Sequence, residues 1–163
     1  YRKTHLFLFE KRLFDRGDGP YQVHRVGEAR VGMLICFDWI FPEPFRELAL
    51  KGADIIAHPS NLILPHCQDA MVTRALENRI FIIVANRVGS ERRSKQSVRF
   101  TGASEIVSPG GKILARAPAK GEIVLTSRID LKQSRHKNVT PLNHIFRDRR
   151  VELFTELRKE RQR

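Results

Sequence analysis

A chain of 163 residues with 41% hydrophobic side chains corresponds to one domain or part of one and can fill a core, which argues against wholesale disorder. Its 30 Lys and Arg against 18 Asp and Glu give a formal charge of +12, but these residues are scattered, which argues against a nucleic-acid-binding surface. No apolar run approaches the roughly 18 residues of a membrane span, and no signal-peptide pattern opens the sequence. We therefore expect a cytoplasmic protein with no nucleic-acid partner and no membrane association.

Strand and helix patterns alternate through the middle of the chain. The short apolar runs are typical of strands covered on both faces, and proline is tolerated in a first helical turn. In chain order, the pattern predicts a strand at 31–36, a helix beginning near Pro42 with a C-cap at Gly52, a strand at 53–57 broken at Pro59, a helix at 69–79, a strand at 80–85, a hairpin of 103–107 with 112–115, a strand at 121–129 and a closing helix at 148–161. This order favours a layered α/β domain with a mixed sheet.

Two cysteines are too few for a disulfide framework. Cys36 lies where a predicted strand ends and a helix is about to begin, an edge at which active residues of α/β proteins often lie. The helix N-terminus would favour the thiolate there, while a buried apolar role is the alternative. For Cys67, in a loop beside His66, the buried apolar role is preferred. Because the histidines lack metal-ligand spacing, we expect no metal site and no cofactor.

A nucleophilic cysteine needs a base or a nearby cation. Histidine is the usual base, which makes His5, His58 and His144 the candidates for a papain-like pair, but no local motif supports any of them. Lys3 and Glu10 are the other candidates, although a single lysine is usually a solvated surface residue.

A set of motifs, in order along the chain, favours the second pair. They are YRKTHL at 1–6, GMLICFDWIFPE at 32–43, LKGAD at 50–54 with HPSN at 58–61, RALEN at 74–78 with ANRVG at 85–89, and GASEIV at 102–107 with PGG at 109–111. Together they resemble the nitrilase superfamily of carbon–nitrogen hydrolases. The resemblance covers residues 1–131, with a weaker match in the tail.

The resemblance implies the layered α-β-β-α sandwich of the carbon–nitrogen hydrolases with a mixed sheet, incomplete at the N-terminus. Residues 1–163 are then expected to be the C-terminal part of a single domain, with 147–163 as a closing charged helix or tail. The family uses a Glu–Lys–Cys triad, in which Cys36 matches the nucleophile and Lys3 the lysine. Glu10 matches an auxiliary glutamate of the family. The general-base glutamate precedes the lysine motif in the family, so we expect it outside this chain, and no residue here replaces it.

The resemblance also implies acyl transfer through a thioester. Cys36 would attack an amide or nitrile carbon, ammonia or an amine would leave, and water would release the acid. Lys3 would support the thiolate and the oxyanion, and the backbone N–H of Phe37 would be a second oxyanion donor.

Three residues at the same sheet edge are weaker candidates for substrate binding: Asp38, Trp39 and Asn61. Core packing is the alternative for Trp39, and a local cap or ion pair is the alternative for Asp38. The expected partners are a small amide or nitrile substrate and, by family resemblance, further copies of the chain in a homodimer or larger homo-oligomer. Two other functions stay open at this point: a catalytically inactive or regulatory domain of the same fold, and a basic nucleic-acid-binding module.

Overall fold

The computed structural model of the chain describes residues 1–93 and 96–158. Its helices are α1 (Glu10–Leu13), α2 (Pro42–Leu50), α3 (Cys67–Asn78) and α4 (Lys132–Arg135), with short 3-10 helices at Cys36–Ile40, Val151–Leu153 and Glu156–Arg158. Its strands are β1 (Val23–Val26), β2 (Ala29–Met33), β3 (Ile55–Ser60), β4 (Phe81–Asn86), β5 (Ser90–Arg93), β6 (Gln96–Arg99), β7 (Glu105–Val107) and β8 (Ile113–Arg116). Within the described ranges, no helix combines the length and the hydropathy that crossing a membrane requires.

Six strands form one mixed sheet in the order β1-β2-β3-β4-β7-β8. Strands β2, β3 and β4 run parallel to one another, and the remaining neighbours in the sheet pair antiparallel. Strands β5 and β6 form a separate hairpin. Parallel neighbours require crossover connections, which α2 and α3 provide. The predicted α/β fold with a mixed sheet is confirmed.

Helices α2 and α3 pack on one face of this sheet, and the main apolar core lies between the helices and the strands. Along β3, Ile56, His58 and Ser60 are buried, whereas the residues between them are more exposed. Gly32 of β2 permits the close approach of α2, because a Cβ there would lie 2.9 Å from both Leu48 and Ile56. Among the described residues, helices thus cover one face of the strands that the sequence predicts to be covered on both.

Two predicted elements do not form in the part of the chain that the structure describes. Residues 121–129 make no backbone ladder with other described residues, and Val124 is 89% exposed, so the predicted strand is wrong. Residues 148–158 form short 3-10 helices and turns in place of the predicted α-helix, since no apolar stripe is buried there to stabilise one. The remainder of that predicted helix, 159–161, lies outside the described residues. Strand β3 also continues through Pro59, where the prediction ended it.

Buried polar contacts fix the segment around α4 to the sheet. Asp54 accepts hydrogen bonds from Ser134 Oγ at 3.2 Å and from the Arg135 guanidinium at 3.1 Å. Against the effect of burial, the hydrogen bonds from the Arg135 side chain and the Arg30 backbone N–H, with the charges of both arginines, hold the pKa of the Asp54 carboxyl below its usual range. Because Asp54 precedes β3 and Cys36 follows the parallel strand β2, these contacts lie at the sheet edge opposite the cysteine.

Candidate active site

Cys36 follows β2 at the carboxyl edge of the parallel strands. Its backbone has φ +47°, in the left-handed region that a non-glycine residue adopts at a cost of about 1–3 kcal/mol. The 3-10 helix Cys36–Ile40 begins here and α2 begins only at Pro42, so the predicted helix does not follow the thiol directly. A strained turn after a strand can present a nucleophile at the edge of a sheet.

The peptide that joins Cys36 to Phe37 has a free N–H. In the described chain, the Phe37 N–H donates to no other group, whereas the next N–H, that of Asp38, bonds to the Ile35 carbonyl at 3.1 Å. An unpaired backbone N–H beside a nucleophile is suited to bind an oxyanion. The assignment of the Phe37 N–H as an oxyanion donor therefore stays a prediction, which its lack of another partner in the described chain supports.

Asp38, two residues after the cysteine, is fully buried and accepts hydrogen bonds from five donors. Its Oδ2 accepts from Tyr1 Oη at 2.7 Å and from the Ile35 N–H at 2.8 Å. Its Oδ1 accepts from Thr4 Oγ1 at 3.2 Å, and from the His5 N–H at 3.2 Å and Nδ1 at 2.8 Å. Asp38 thus joins the first residues of the chain to the turn that carries the cysteine.

Lys3 lies between the residues that Asp38 holds. Its side chain is 12% exposed, and its Nζ donates to Glu10 Oε2 at 2.5 Å. The same oxygen accepts the Phe7 N–H at 2.7 Å, which fixes Glu10 in place. The structure therefore brings Lys3 and Glu10 together, and the contacts of Asp38 tie their segment to the turn at Cys36.

The described surface beside Cys36 includes a depression of about 20 Å³, which Phe37, Trp39 and Asn61 also line. Past Asn61 it continues into a groove of about 370 Å³. Trp39 also belongs to the buried core. Asp38 does not line the depression, and its oxygens are occupied by protein donors, so its geometry favours the local-cap alternative over substrate binding.

We expect the replacement Asp38→Asn to destabilise the fold by about 2–4 kcal/mol, because an amide NH2 would face buried donors that now share a carboxylate. Urea unfolding of the complete gene product measures this change. Asp18→Asn is the matched control, since the Asp18 side chain is 78% exposed and pairs only with Arg2 in the described structure. Equal unfolding midpoints for the two variants would contradict the role given to Asp38.

None of the three candidate base histidines has its ring hydrogen-bonded to the thiol within the described chain. His5 Nδ1 is hydrogen-bonded to Asp38, and His144 Nδ1 accepts hydrogen bonds from backbone N–H groups of its own turn. His58 Nε2 lies 3.0 Å from the Cys36 carbonyl oxygen instead. The predicted strand at 53–57 stopped short of His58, and no sequence signal indicated this contact.

Burial lowers the pKa of His58 to about 4 from its ordinary value of 6.5, although its hydrogen bond to Cys36 acts in the opposite direction. Between these two values the unfolded chain binds a proton that the folded chain does not. The stability contributed by neutral His58 is therefore complete above pH 6.5 and is lost as the pH falls through that interval towards about 4.

We expect His58→Gln to remove this pH dependence, which amounts to roughly 3 kcal/mol at about 1.4 kcal/mol per pKa unit. Urea unfolding of both proteins at several values between about pH 4.5 and about pH 7.5 measures the difference. His24→Gln, at an exposed histidine of β1, is the control and should follow the wild type. Parallel stability curves for His58→Gln and the wild type would contradict a buried neutral imidazole.

Cys67 has the buried position that the sequence favoured, and the end of α3 is held by local hydrogen bonds. Cys67 is fully buried, and burial raises the pKa of its thiol. Arg74 pairs with Glu77 at 3.1 Å, and Asn78 Nδ2 donates to the Arg74 carbonyl at 2.9 Å.

Comparisons with known proteins identify the family. The family model described as carbon–nitrogen hydrolase matches residues 1–137. The chain belongs to the carbon–nitrogen hydrolase family. A nitrilase from Pyrococcus abyssi is 48% identical over 154 residues, which are 94% of this chain and 57% of that protein. The chain thus spans little more than half the length of this curated relative.

Solved structures of carbon–nitrogen hydrolases share the fold. A carbon–nitrogen hydrolase from Helicobacter pylori is 30% identical with a TM-score of 0.88, over 98% of this chain and 60% of that chain. A mutant of an amidase from a Nesterenkonia species, with acrylamide added at its active-site cysteine, is 27% identical with a TM-score of 0.75, over 96% of this chain and 57% of that chain. The resemblance inferred from the sequence motifs is therefore confirmed.

Proposed function

We propose that this carbon–nitrogen hydrolase chain contributes the cysteine nucleophile that hydrolyses a small amide or nitrile. The observation that carries the proposal is the position of Cys36, in a strained turn beside a surface depression, with the Lys3–Glu10 pair tied to that turn by Asp38. A cation and a free N–H near a thiol provide the electrostatic support that acyl transfer requires.

In the proposed reaction of an amide, the Cys36 thiolate forms a bond to the carbonyl carbon, and the negative charge moves to the oxygen. The Lys3 ammonium and the Phe37 N–H stabilise that charge, and Glu10 holds Lys3 in place through the hydrogen bond between them. The carbon–nitrogen bond then breaks as the nitrogen takes up the proton that the thiol released, so that ammonia or an amine leaves and a thioester remains. Water cleaves the thioester to release the acid and restore the thiol. We assign no residue of this chain as the general base.

The surroundings of Cys36 favour a small, partly apolar substrate. The depression of about 20 Å³ has room for about one water-sized group, and the adjoining groove of about 370 Å³ has room for a substituent. Phe7, Ile63 and Phe100 are among the residues that line the groove. We therefore propose aliphatic amides as the first substrates to test, with nitriles as the alternative.

Ammonia release by the complete gene product from a panel of aliphatic amides and nitriles tests the proposal. We expect release from at least one member, and hydroxylamine should divert the acyl group to a hydroxamate because it attacks a thioester. Acrylamide labelling located by mass spectrometry checks the thiol independently. No ammonia from any member, with Cys36 unlabelled by acrylamide, would contradict the proposal.

The inactive or regulatory alternative, the homo-oligomer and the cytoplasmic location stay predictions. The same panel assay decides between an active and an inactive domain, and sedimentation of the complete gene product measures its oligomeric state.

A further inference from the structure

His58 contacts the backbone of Cys36 but has no part in the proposed reaction as described above. Its ring lies under the catalytic turn and is almost completely buried, at 1% exposure. Nε2 is 3.0 Å from the carbonyl oxygen of Cys36, and Nδ1 is 3.0 Å from the Ser60 hydroxyl. Phe45 of α2 contributes an aromatic ring beside it, with centroids 6.3 Å apart.

These partners determine which ring nitrogen carries the proton. A carbonyl oxygen only accepts, so Nε2 must be the donor to Cys36. In the neutral ring Nδ1 is then the acceptor, and it receives the hydrogen of the Ser60 hydroxyl. The Cys36 carbonyl therefore selects the tautomer, and Ser60 provides a partner for the other ring nitrogen.

The Cys36 carbonyl and the Phe37 N–H belong to a single peptide unit. The described chain contains no cis peptide bond, so in this planar unit the carbonyl and the N–H point in opposite directions. A donor that holds the carbonyl on the core side therefore turns the N–H away from the core. The same hydrogen bond polarises the amide and strengthens its N–H as a donor.

We propose that His58 is a positioning residue, which orients and polarises the Cys36–Phe37 peptide so that its N–H binds the oxyanion. This inference rests on the proposed function of Cys36 and assigns His58 no contact with the substrate. The hydrogen bond also holds the cysteine in its left-handed conformation, at φ +47°. Asp38 and Lys3 act on the ring with opposite electrostatic effects, and the imidazole stays neutral above about pH 5 because its pKa is about 4.

Two substitutions of similar length separate donation from packing. Gln places an amide N–H near the position of Nε2, whereas Met fills similar space without a donor. In the complete gene product we expect His58→Met to lower kcat about tenfold to hundredfold, with KM within about twofold, because an oxyanion donor is misplaced. We expect His58→Gln to restore kcat to within about fivefold of the wild type.

Alkylation of Cys36 by iodoacetamide is the second readout, because this displacement forms no oxyanion. The rate for His58→Met should stay within about threefold of the wild type while kcat falls. Equal losses of alkylation and turnover would indicate a general structural defect and overturn the inference, as would an unchanged kcat or the absence of rescue by Gln.

Ser60→Ala keeps the test decisive if His58→Met does not fold. Without the hydroxyl, Nδ1 is left buried without its partner and the ring is held less firmly against the Cys36 carbonyl, so we expect kcat to fall about threefold to tenfold with alkylation unchanged. An unchanged kcat would overturn the inference.

A parallel Cys36→Ala variant separates the two proposals. If Cys36→Ala retains turnover, the proposed function fails. If Cys36→Ala loses turnover but the His58 and Ser60 variants keep the wild-type kcat, only the positioning role is contradicted.

Discussion

Replacement of Cys36 by alanine is expected to lower amide turnover by at least about four orders of magnitude, because the thioester cannot form without the sulfur. The residual rate would come from substrate binding and the oxyanion donors alone. The measurement is ammonia release under saturating substrate, with hydroxamate formation as the indicator of the acyl-enzyme. The side chain is partly exposed, so the substitution should leave the fold intact.

The chain provides its own matched control in Cys67. This second thiol is fully buried at the start of α3, and burial raises its pKa, which keeps it protonated and unreactive. We expect Cys67→Ala to keep kcat within about twofold, even if it costs about 1 kcal/mol of stability through a small cavity. Similar losses of turnover in the two cysteine variants, or turnover that persists in Cys36→Ala, would contradict Cys36 as the nucleophile.

The elements that bury an apolar stripe could be predicted from spacing alone. Helix α3 was predicted at 69–79 and forms at Cys67–Asn78, because residues such as Met71 and Ala75 face the core together. Residues 121–129 contain an apolar run at 123–125, but an apolar run does not provide a partner strand. Extended backbone without a hydrogen-bonded neighbour is not a strand, so the prediction failed there.

The candidate site could be predicted only in part, because its contacts join distant positions. Cys36 was found from its place after a strand, but its left-handed backbone was not, since only glycine signals that conformation in a sequence. The sequence left Asp38 open between substrate binding and a local cap or ion pair, because its hydrogen bond to His5 spans 33 positions and no local pattern indicates it. Lys3 entered the prediction by family resemblance, since its residue type alone indicates an exposed surface cation.

His58 is a further case of the same limit. In the structure His58 lies on the buried side of β3, with Ile56 and Ser60, although the predicted strand ended before it. Its contact with Cys36 depends on the parallel pairing of β2 and β3, which brings the ends of the two strands to one edge of the sheet. Pairing of this kind belongs to the sheet as a whole, so a single strand pattern does not contain it.

Lys3→Met is expected to lower kcat by about two to four orders of magnitude, the second largest effect among these predictions. In the proposed reaction the ammonium balances charge on the thiolate and on the oxyanion, and Met retains the length of the side chain without that charge. The Lys3 side chain is only 12% exposed, so water screens this charge less than it would at the surface. Steady-state ammonia release measures kcat, and the iodoacetamide rate measures the thiol separately.

Two further variants make the Lys3 prediction specific. Lys112→Met, at an exposed position in the β7–β8 hairpin, removes the same charge far along the chain and should leave kcat within about twofold. Glu10→Gln keeps a hydrogen-bond acceptor for Lys3 but loses the ion pair, and we expect a smaller loss of about tenfold. A rate for Lys3→Met equal to that of Lys112→Met would show that the lysine has no part in the reaction. A loss in Glu10→Gln greater than that in Lys3→Met would instead give the carboxylate a role beyond holding the ammonium.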